Sequence, residues 1–347
     1  MPELYKKLEG KKLLFVYSSL SVFVKQDIEI FENARAEVHR FHAVETSRLK
    51  LVLSLVRAFF YLLFRIWKFD AVYIWFADYH SCLPILFSQM AHKKSFLVIG
   101  GYDVSRFKRY KYGSFTNPVR GYMAKYSMKH AGLNLCVSVY VQRVLRAILP
   151  DAPSVVVYNG ISLVPELTGD ANKRGKEKTV LCVSLVRTRQ KYFIKGIDRF
   201  IRVCRMAENV NFIAIGIEPD LIKKMEGELP SNLQLIPPLP HKELICYYLK
   251  AHVYCQLSRA ESFSLSLAEA MLYDCIPVIS NVGGMPEVAG PYGYKVRGEA
   301  PEEIVRAIYS ALSEKTTGHA IGRRIEEMFT CERRGAVLCE IVSRELQ

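Results

Sequence analysis

The sequence predicts an α/β protein of two Rossmann-like domains, each built on a parallel sheet, facing each other across a cleft. Three observations lead there. Short apolar, β-branched runs recur in two sets along the 347 residues. Longer stretches of helical pattern separate the runs, as repeated βαβ units require. A polar stretch without periodicity, "ELTGDANKRGKEK" at 166–178, lies between the two sets.

The first set is "KLLFVY" (12–17), "AVYIWF" (71–76), "SFLVIG" (95–100), "LNLCVS" (133–138) and "SVVVY" (154–158). The second is "TVLCVSL" (179–185), "NFIAIG" (211–216), "LQLI" (233–236), "VYCQL" (253–257) and "IPVIS" (276–280). Unbroken apolar runs bounded by turn residues fit strands covered on both faces, which is the condition of a parallel sheet. The polar stretch reads as a linker. The division is therefore 1–165 and 166–325. The remaining residues, 326–347, form a helical pattern expected to pack back on the first domain. Ligands of open α/β sheets bind beyond the carboxyl ends of the strands, so the cleft is the expected site.

Composition narrows the function. Half of the residues are hydrophobic, enough for sizeable cores and too many for a disordered chain. Nine cysteines are scattered with no C-x-x-C pair, which fits buried, reduced thiols in a cytoplasmic protein. The segment "MPELYKKLEGKKLLFVY" has no signal-peptide core. Residues 1–165 carry 23 Lys and Arg against 11 Asp and Glu, whereas 166–347 carry 25 against 23. The basic half calls for an anionic partner, either an acidic substrate or a membrane. No nucleic-acid motif accompanies the charge, so nucleic acid is not expected.

Residues 50–68, "KLVLSLVRAFFYLLFRIWK", place Lys50, Ser54, Arg57, Tyr61, Arg65 and Lys68 at spacings of three and four. These make one cationic stripe on an apolar helix. Arg57 and Arg65 argue against a membrane span. The stripe is expected in solvent, with the alternative that it meets an anionic membrane or a lipid-phosphate acceptor. "RFKRYKYG" (106–113) is a second basic, aromatic cluster.

The richest stretch is "SRAESFSLSLAEAML" (258–272), with Glu261 and Glu269 eight positions apart. One reading is a capping box, with Ser266 as N-cap and Glu269 three residues on. The other is a strand–loop–helix unit whose helix begins near Ser264 or Ser266. It would aim backbone N–H groups and a helix dipole at an anion.

This stretch resembles the E-x7-E motif of retaining glycosyltransferases of family 4, which have the GT-B fold. The resemblance extends through "NLCVSVYVQRVL" (134–145), "VYNGIS" (157–162), "VLCVSLVRTRQKYFIKGIDRFIRV" (180–203) and "CIPVISNVGGMPEVAG" (275–290), in family order. It implies a hexosyltransferase-type enzyme that moves a sugar from a nucleotide-diphosphate-sugar donor to a glycan or lipid-linked acceptor, with no cofactor. Glu269 would hold ribose hydroxyls and Glu261 hydroxyls of the donor sugar. The amides of Phe263, Ser264 and Leu265 would receive the diphosphate. An arginine and a lysine would neutralise that diphosphate. Lys195, before Gly196, matches the lysine, while Arg187 and Arg189 compete for the arginine and Arg187 is favoured. The family often has glycine where Ser262 and Ser264 stand, and near Asp274. No D-x-D sequence occurs, so a metal clamp is not indicated.

On the first domain, Gly100 and Gly101 in "VIGGYDVSRF" would let backbone approach the donor, or form a tight turn. Ser18 would lie near the diphosphate. His80 in "ADYHSCLP" is expected to be structural. The rival readings are a GT-B nucleotide-sugar epimerase, a glycosidase using the two glutamates, and a non-catalytic glycan-binding protein.

Overall fold

In the computed structural model, the described residues are 7–44, 47–163, 177–226, 228–314 and 319–347. The chain divides into two units, one of Met1–Gly160 with Cys331–Gln347 and the other of Ile161–Thr330. Each contains a six-stranded sheet in which every strand pairing is parallel.

The first unit has strands β1 (Lys12–Tyr17), β2 (Glu37–His42), β3 (Ala71–Trp75), β4 (Lys94–Ile99), β5 (Leu133–Cys136) and β6 (Ser154–Val156). Its helices are α1 (Val22–Asn33), α2 (Arg48–Arg65), α3 (Cys82–Met90), α4 (Pro118–His130) and α5 (Val139–Ile148). The strand order is β2-β1-β3-β4-β5-β6. Helices on both faces bury the sheet, and every residue of β3 is buried.

The second unit has β7 (Glu177–Val186), β8 (Asn211–Ile217), β9 (Leu233–Ile236), β10 (Ala251–Gln256), β11 (Ile276–Ser280) and β12 (Tyr294–Val296). Between them run α6 (Arg189–Ile194), α7 (Ile197–Met206), α8 (Pro219–Glu226), α9 (His241–Lys250), α10 (Leu265–Leu272) and α11 (Met285–Ala289). Helices α12 (Pro301–Ser313) and α13 (Ala320–Met328) follow. The order β12-β11-β10-β7-β8-β9 is that of a doubly wound dinucleotide-type sheet. Its strand sequence reverses direction between β7 and β10, leaving a crevice beyond their carboxyl ends.

All ten apolar runs of the sequence are strands. The other two, β2 and β12, are both sheet edges. An edge strand need not be apolar throughout, and β2, "EVHRFH", has only Phe41 buried. The expected linker 166–178 lies outside the described residues except for Glu177 and Lys178, which open β7.

The final helical pattern is two helices. Helix α13 stays in the second unit, and α14 (Cys331–Glu345) belongs to the first. Arg334 of α14 fixes it there. Its guanidinium donates to both oxygens of Asp27 on α1, at 2.6 and 2.8 Å, and to the carbonyls of Val157 and Tyr158. Asp27 also accepts from Tyr73 Oη and Trp75 Nε1, so this fully buried carboxylate is satisfied on all sides. Burial, then the Asp27 charge, holds the Tyr73 hydroxyl well above its usual pKa.

Helix α2 departs from the expected arrangement only in part. The cations of its stripe, Lys50, Arg57, Arg65 and Lys68, are exposed as expected, whereas Ser54 and Tyr61 turn toward the protein. Ser54 is buried and accepts from Val44 N, Arg57 donates to the His42 carbonyl beneath it, and Tyr61 packs on Phe41 and Phe69. Ala58 and Leu62 are buried beside them, while most other apolar residues of the helix are exposed.

Candidate functional site

The crevice of the second sheet is built by three strand ends. After β10 the chain turns through Arg259 and Glu261 into α10. After β7 it runs through Arg187, the short α6 and Lys195 into α7. After β11 it passes Gly283 and Gly284.

Close backbone contacts draw these loops together. Gly196 has φ +69°, and a Cβ there would fall 1.9 Å from the Leu257 carbonyl oxygen. Arg259 N donates to Ile194 O at 2.7 Å, and the Arg259 guanidinium grips both Asp198 oxygens at 2.7 Å. From the other side Gly284 N donates to Glu261 O at 3.1 Å. A Cβ on Gly283 would lie 1.7 Å from that same oxygen, and one on Gly284 2.1 Å from Ser262 O. Only glycine lets this backbone close on the glutamate loop.

At the centre Lys195 Nζ lies 2.5 Å from Glu261 Oε2. Both side chains are mostly buried, at 23% and 15% exposure, so solvent screens the pair far less than a surface pair. Gln256, at the end of β10, also donates to Glu261 Oε2 at 3.0 Å. Its amide oxygen accepts from Ser264 Oγ at 2.6 Å, tying the glutamate loop to the start of α10.

Helix α10 begins at Leu265 with Ser264 as N-cap, the Ser264 hydroxyl accepting from Leu267 N at 3.3 Å. The capping box with Ser266 does not form. Ser266 Oγ accepts instead from Tyr254 Oη at 2.8 Å, and Glu269 lies beyond the first turn. Among the described residues the amides of Ser264 and Leu265 meet no protein acceptor. They stand at the positive end of the helix dipole, with no acidic side chain in the first turn. Phe263 is buried against Phe329.

Glu269 has separate partners, His241 Nε2 and Tyr248 Oη, each at 3.1 Å. The hydrogen bond to Glu269 raises the pKa of His241 above its ordinary value. The two glutamates therefore head two distinct polar groups rather than sharing one.

The arginines are less central. Arg187 is exposed and lies 3.5 Å from Glu218. Arg189 opens α6, with its guanidinium over the Phe193 ring. Lys191 of α6 is a cation that the sequence reading passed over. Burial lowers its pKa, Lys195 lowers it further, and Glu261 opposes both. Gln256 was missed as well. Its signal was a polar residue closing an otherwise apolar strand run.

The remaining candidates belong to the first unit. Gly100 N and Gly101 N both donate to Asp103, at 3.1 and 2.6 Å. A Cβ on Gly100 would strike the Phe76 ring. The pair therefore forms a tight turn around a buried carboxylate, whose pKa burial raises to about 6. Ser18 follows β1, and its carbonyl accepts from His42 Nε2 at 3.1 Å. His80 is buried, with Nε2 2.9 Å from the Trp75 carbonyl.

Comparison with known proteins fits this geometry. Residues 165–328 match the family model described as glycosyl transferases group 1. The gpi3 subunit of phosphatidylinositol N-acetylglucosaminyltransferase from Schizosaccharomyces pombe is 27% identical over 225 residues, 60% of this chain and 48% of that one. The chain spans less than half the length of the curated relatives it matches. Among solved structures, sucrose-phosphate synthase from Thermosynechococcus elongatus superposes with TM-score 0.77 at 16% identity, covering 97% of this chain and 99% of that one. HepE from Anabaena, solved with UDP and glucose, gives TM-score 0.68 at 15% identity, covering 96% and 99%.

Proposed function

Because the chain is a group 1 glycosyltransferase with the GT-B fold, we propose that it transfers a sugar with retention of configuration from a nucleotide-diphosphate-sugar to a glycan or lipid-linked acceptor, without a metal. The observation that carries this reading is the Lys195–Glu261 pair, set beside the α10 N-terminus at the switch point of the second sheet.

The residues divide the donor among them. The amides of Phe263, Ser264 and Leu265, with the helix dipole, receive the diphosphate. Lys195 turns from Glu261 to the diphosphate and neutralises charge as it leaves. Arg187 joins it by releasing Glu218, a small cost for an exposed pair. Arg189 is the alternative arginine, and Lys191 adds positive potential from α6. Glu261 accepts hydrogen bonds from sugar hydroxyls, and Glu269 from the ribose diol, displacing His241. Gly100, Gly101 and Ser18 are the donor-side residues of the first unit in this reading.

In the transfer, the acceptor oxygen bonds to the anomeric carbon as the carbon–diphosphate bond breaks. The hydroxyl proton passes to the departing diphosphate oxygen. The attack comes from the face the diphosphate leaves, so configuration is retained. The name of the S. pombe relative supports N-acetylglucosamine and an inositol lipid as the first pair to assay. The basic first unit supports work at the cytoplasmic face of a membrane.

The test is a transfer assay with nucleotide sugars and lipid-linked or glycan acceptors, with product stereochemistry read by NMR. The expected product keeps the donor's anomeric configuration. Inverted product, or epimerised donor with no transfer, overturns the reading.

A further inference from the structure

The outward face of α2 has no counterpart in the donor chemistry. Leu49, Val52, Val56, Phe60, Phe64 and Trp67 are all exposed, Leu49 and Phe64 at 70% and Trp67 at 62%. At 3.6 residues per turn these and their apolar neighbours fill an arc of about 140°. The opposite side is anchored through buried Ser54, Ala58 and Leu62 and through Tyr61, so the helix cannot roll to bury its apolar face without losing those contacts. Isolated exposed apolar residues are ordinary, but a continuous ridge of this length marks a docking surface.

The charge around the ridge says what it meets. Lys50, Arg57 and Lys68 run along one edge of the apolar arc, and all are exposed. Residues 47–68 contain no Asp or Glu. A cavity of about 350 Å³, lined by Val44, Lys50, Leu53, Ser54 and Arg57, opens along the same edge. Helices α2, α3 and α4 pack side by side, and α4 adds exposed Lys125 and Lys129. An apolar ridge with cations along one edge and no acidic residue on the helix complements an anionic bilayer, whose acyl region takes the ridge and whose headgroups take the cations. A protein partner would more commonly face a border of both signs.

We propose that α2 is an interfacial helix that lies in the plane of an anionic membrane, with its apolar ridge among the acyl chains and Lys50, Arg57 and Lys68 at the headgroups. No helix of the described residues is long and apolar enough to cross a membrane. The inference deepens the lipid-linked acceptor reading and rests on it only for the reason to be at a membrane. Binding is measured without donor, so the two fail separately.

The chain carries its own reporter. It has two tryptophans, Trp67 on the ridge and Trp75, which is 1% exposed. Adding vesicles of phosphatidylcholine with phosphatidylserine to the full chain should shift Trp67 emission to the blue. Brominated acyl chains should quench it. Phosphatidylcholine alone should bind more weakly, and salt should weaken the anionic preference. The exposed double substitution Phe60→Glu with Phe64→Glu should reduce vesicle binding by about tenfold or more at unchanged Tm. Lys50→Gln with Lys68→Gln should remove most of the anionic preference. Unchanged Trp67 emission at saturating vesicles overturns the proposal. So does a chain that binds no vesicles but sediments as a dimer that Phe60→Glu/Phe64→Glu splits, since the ridge would then belong to a second copy. A partner protein that protects Trp67 while vesicles do not is a third contrary result.

Discussion

Ser264 carries two demands at once. Its φ of +80° is a conformation that suits glycine, yet its hydroxyl caps α10 and bonds Gln256. Glycine at this position would release the strain, worth about 1–3 kcal/mol, against a cap loss of a few tenths. Alanine keeps the strain and loses the cap, and both variants lose the donor to Gln256. Ser264→Gly should therefore unfold within about 1 kcal/mol of the parent, and Ser264→Ala about 1–3 kcal/mol below it. Urea melts measure this, and an alanine variant as stable as the parent contradicts it. Asp274 is a similar case. It sits at φ +56° after α10, and its carboxylate repays the conformation by holding His319 Nδ1 at 2.7 Å and Gly322 N at 2.9 Å. At both positions a polar side chain in a conformation that suits glycine has taken on local hydrogen bonding.

The elements show what a sequence can and cannot disclose. Glu261 and Lys195 were legible because each sits in a local motif at a strand end. Gln256 and Lys191 were not, since their importance comes from β7 and β10 lying side by side, which only the sheet order reveals. The ten apolar strands announced themselves, while the edge strands β2 and β12 stayed hidden because histidines, an arginine or a lysine interrupt their apolar runs. Helix α2 was legible in part. Its cations are exposed as the pattern implies, but periodicity does not say how much of an apolar face a neighbour will cover. Only the narrow face through Ser54, Ala58 and Leu62 is buried, and the rest of the apolar surface is left outside. The glycine pair after β11 tests how tightly the elements must close. Gly283→Ala adds a Cβ where the Glu261 carbonyl already lies and strains φ +64°. It should destabilise the chain by about 1–3 kcal/mol and raise the donor KM about tenfold, because the glutamate loop must retreat. Steady-state kinetics check this, and an unchanged KM would mean that the loop tolerates displacement.

At the scale of the whole molecule, α14 returns to the first unit and is held there by a buried charge pair. Arg334→Met should destabilise the full chain by about 3–5 kcal/mol, since Asp27 would be left buried without its cation. Adding Asp27→Asn should recover part of the loss, because a neutral amide oxygen still accepts from Tyr73 and Trp75. Urea midpoints of the single and double variants test this, and no recovery would mean that the lost contacts of Arg334 outweigh its charge. The two units also divide the chemistry. The second carries the Lys195–Glu261 pair and the nearly neutral sequence, and the first carries most of the positive charge and the α2 ridge. The central claim is that three strand ends of the second unit grip a nucleotide-linked sugar through its diphosphate. Calorimetric titration of nucleoside diphosphates and their sugar conjugates tests it most directly. One nucleotide should bind the parent, and Lys195→Ala should weaken it about tenfold or more. Glu261→Gln should weaken the sugar conjugate while sparing the free diphosphate. If no nucleotide binds, or both variants bind every form as the parent does, the donor site lies elsewhere.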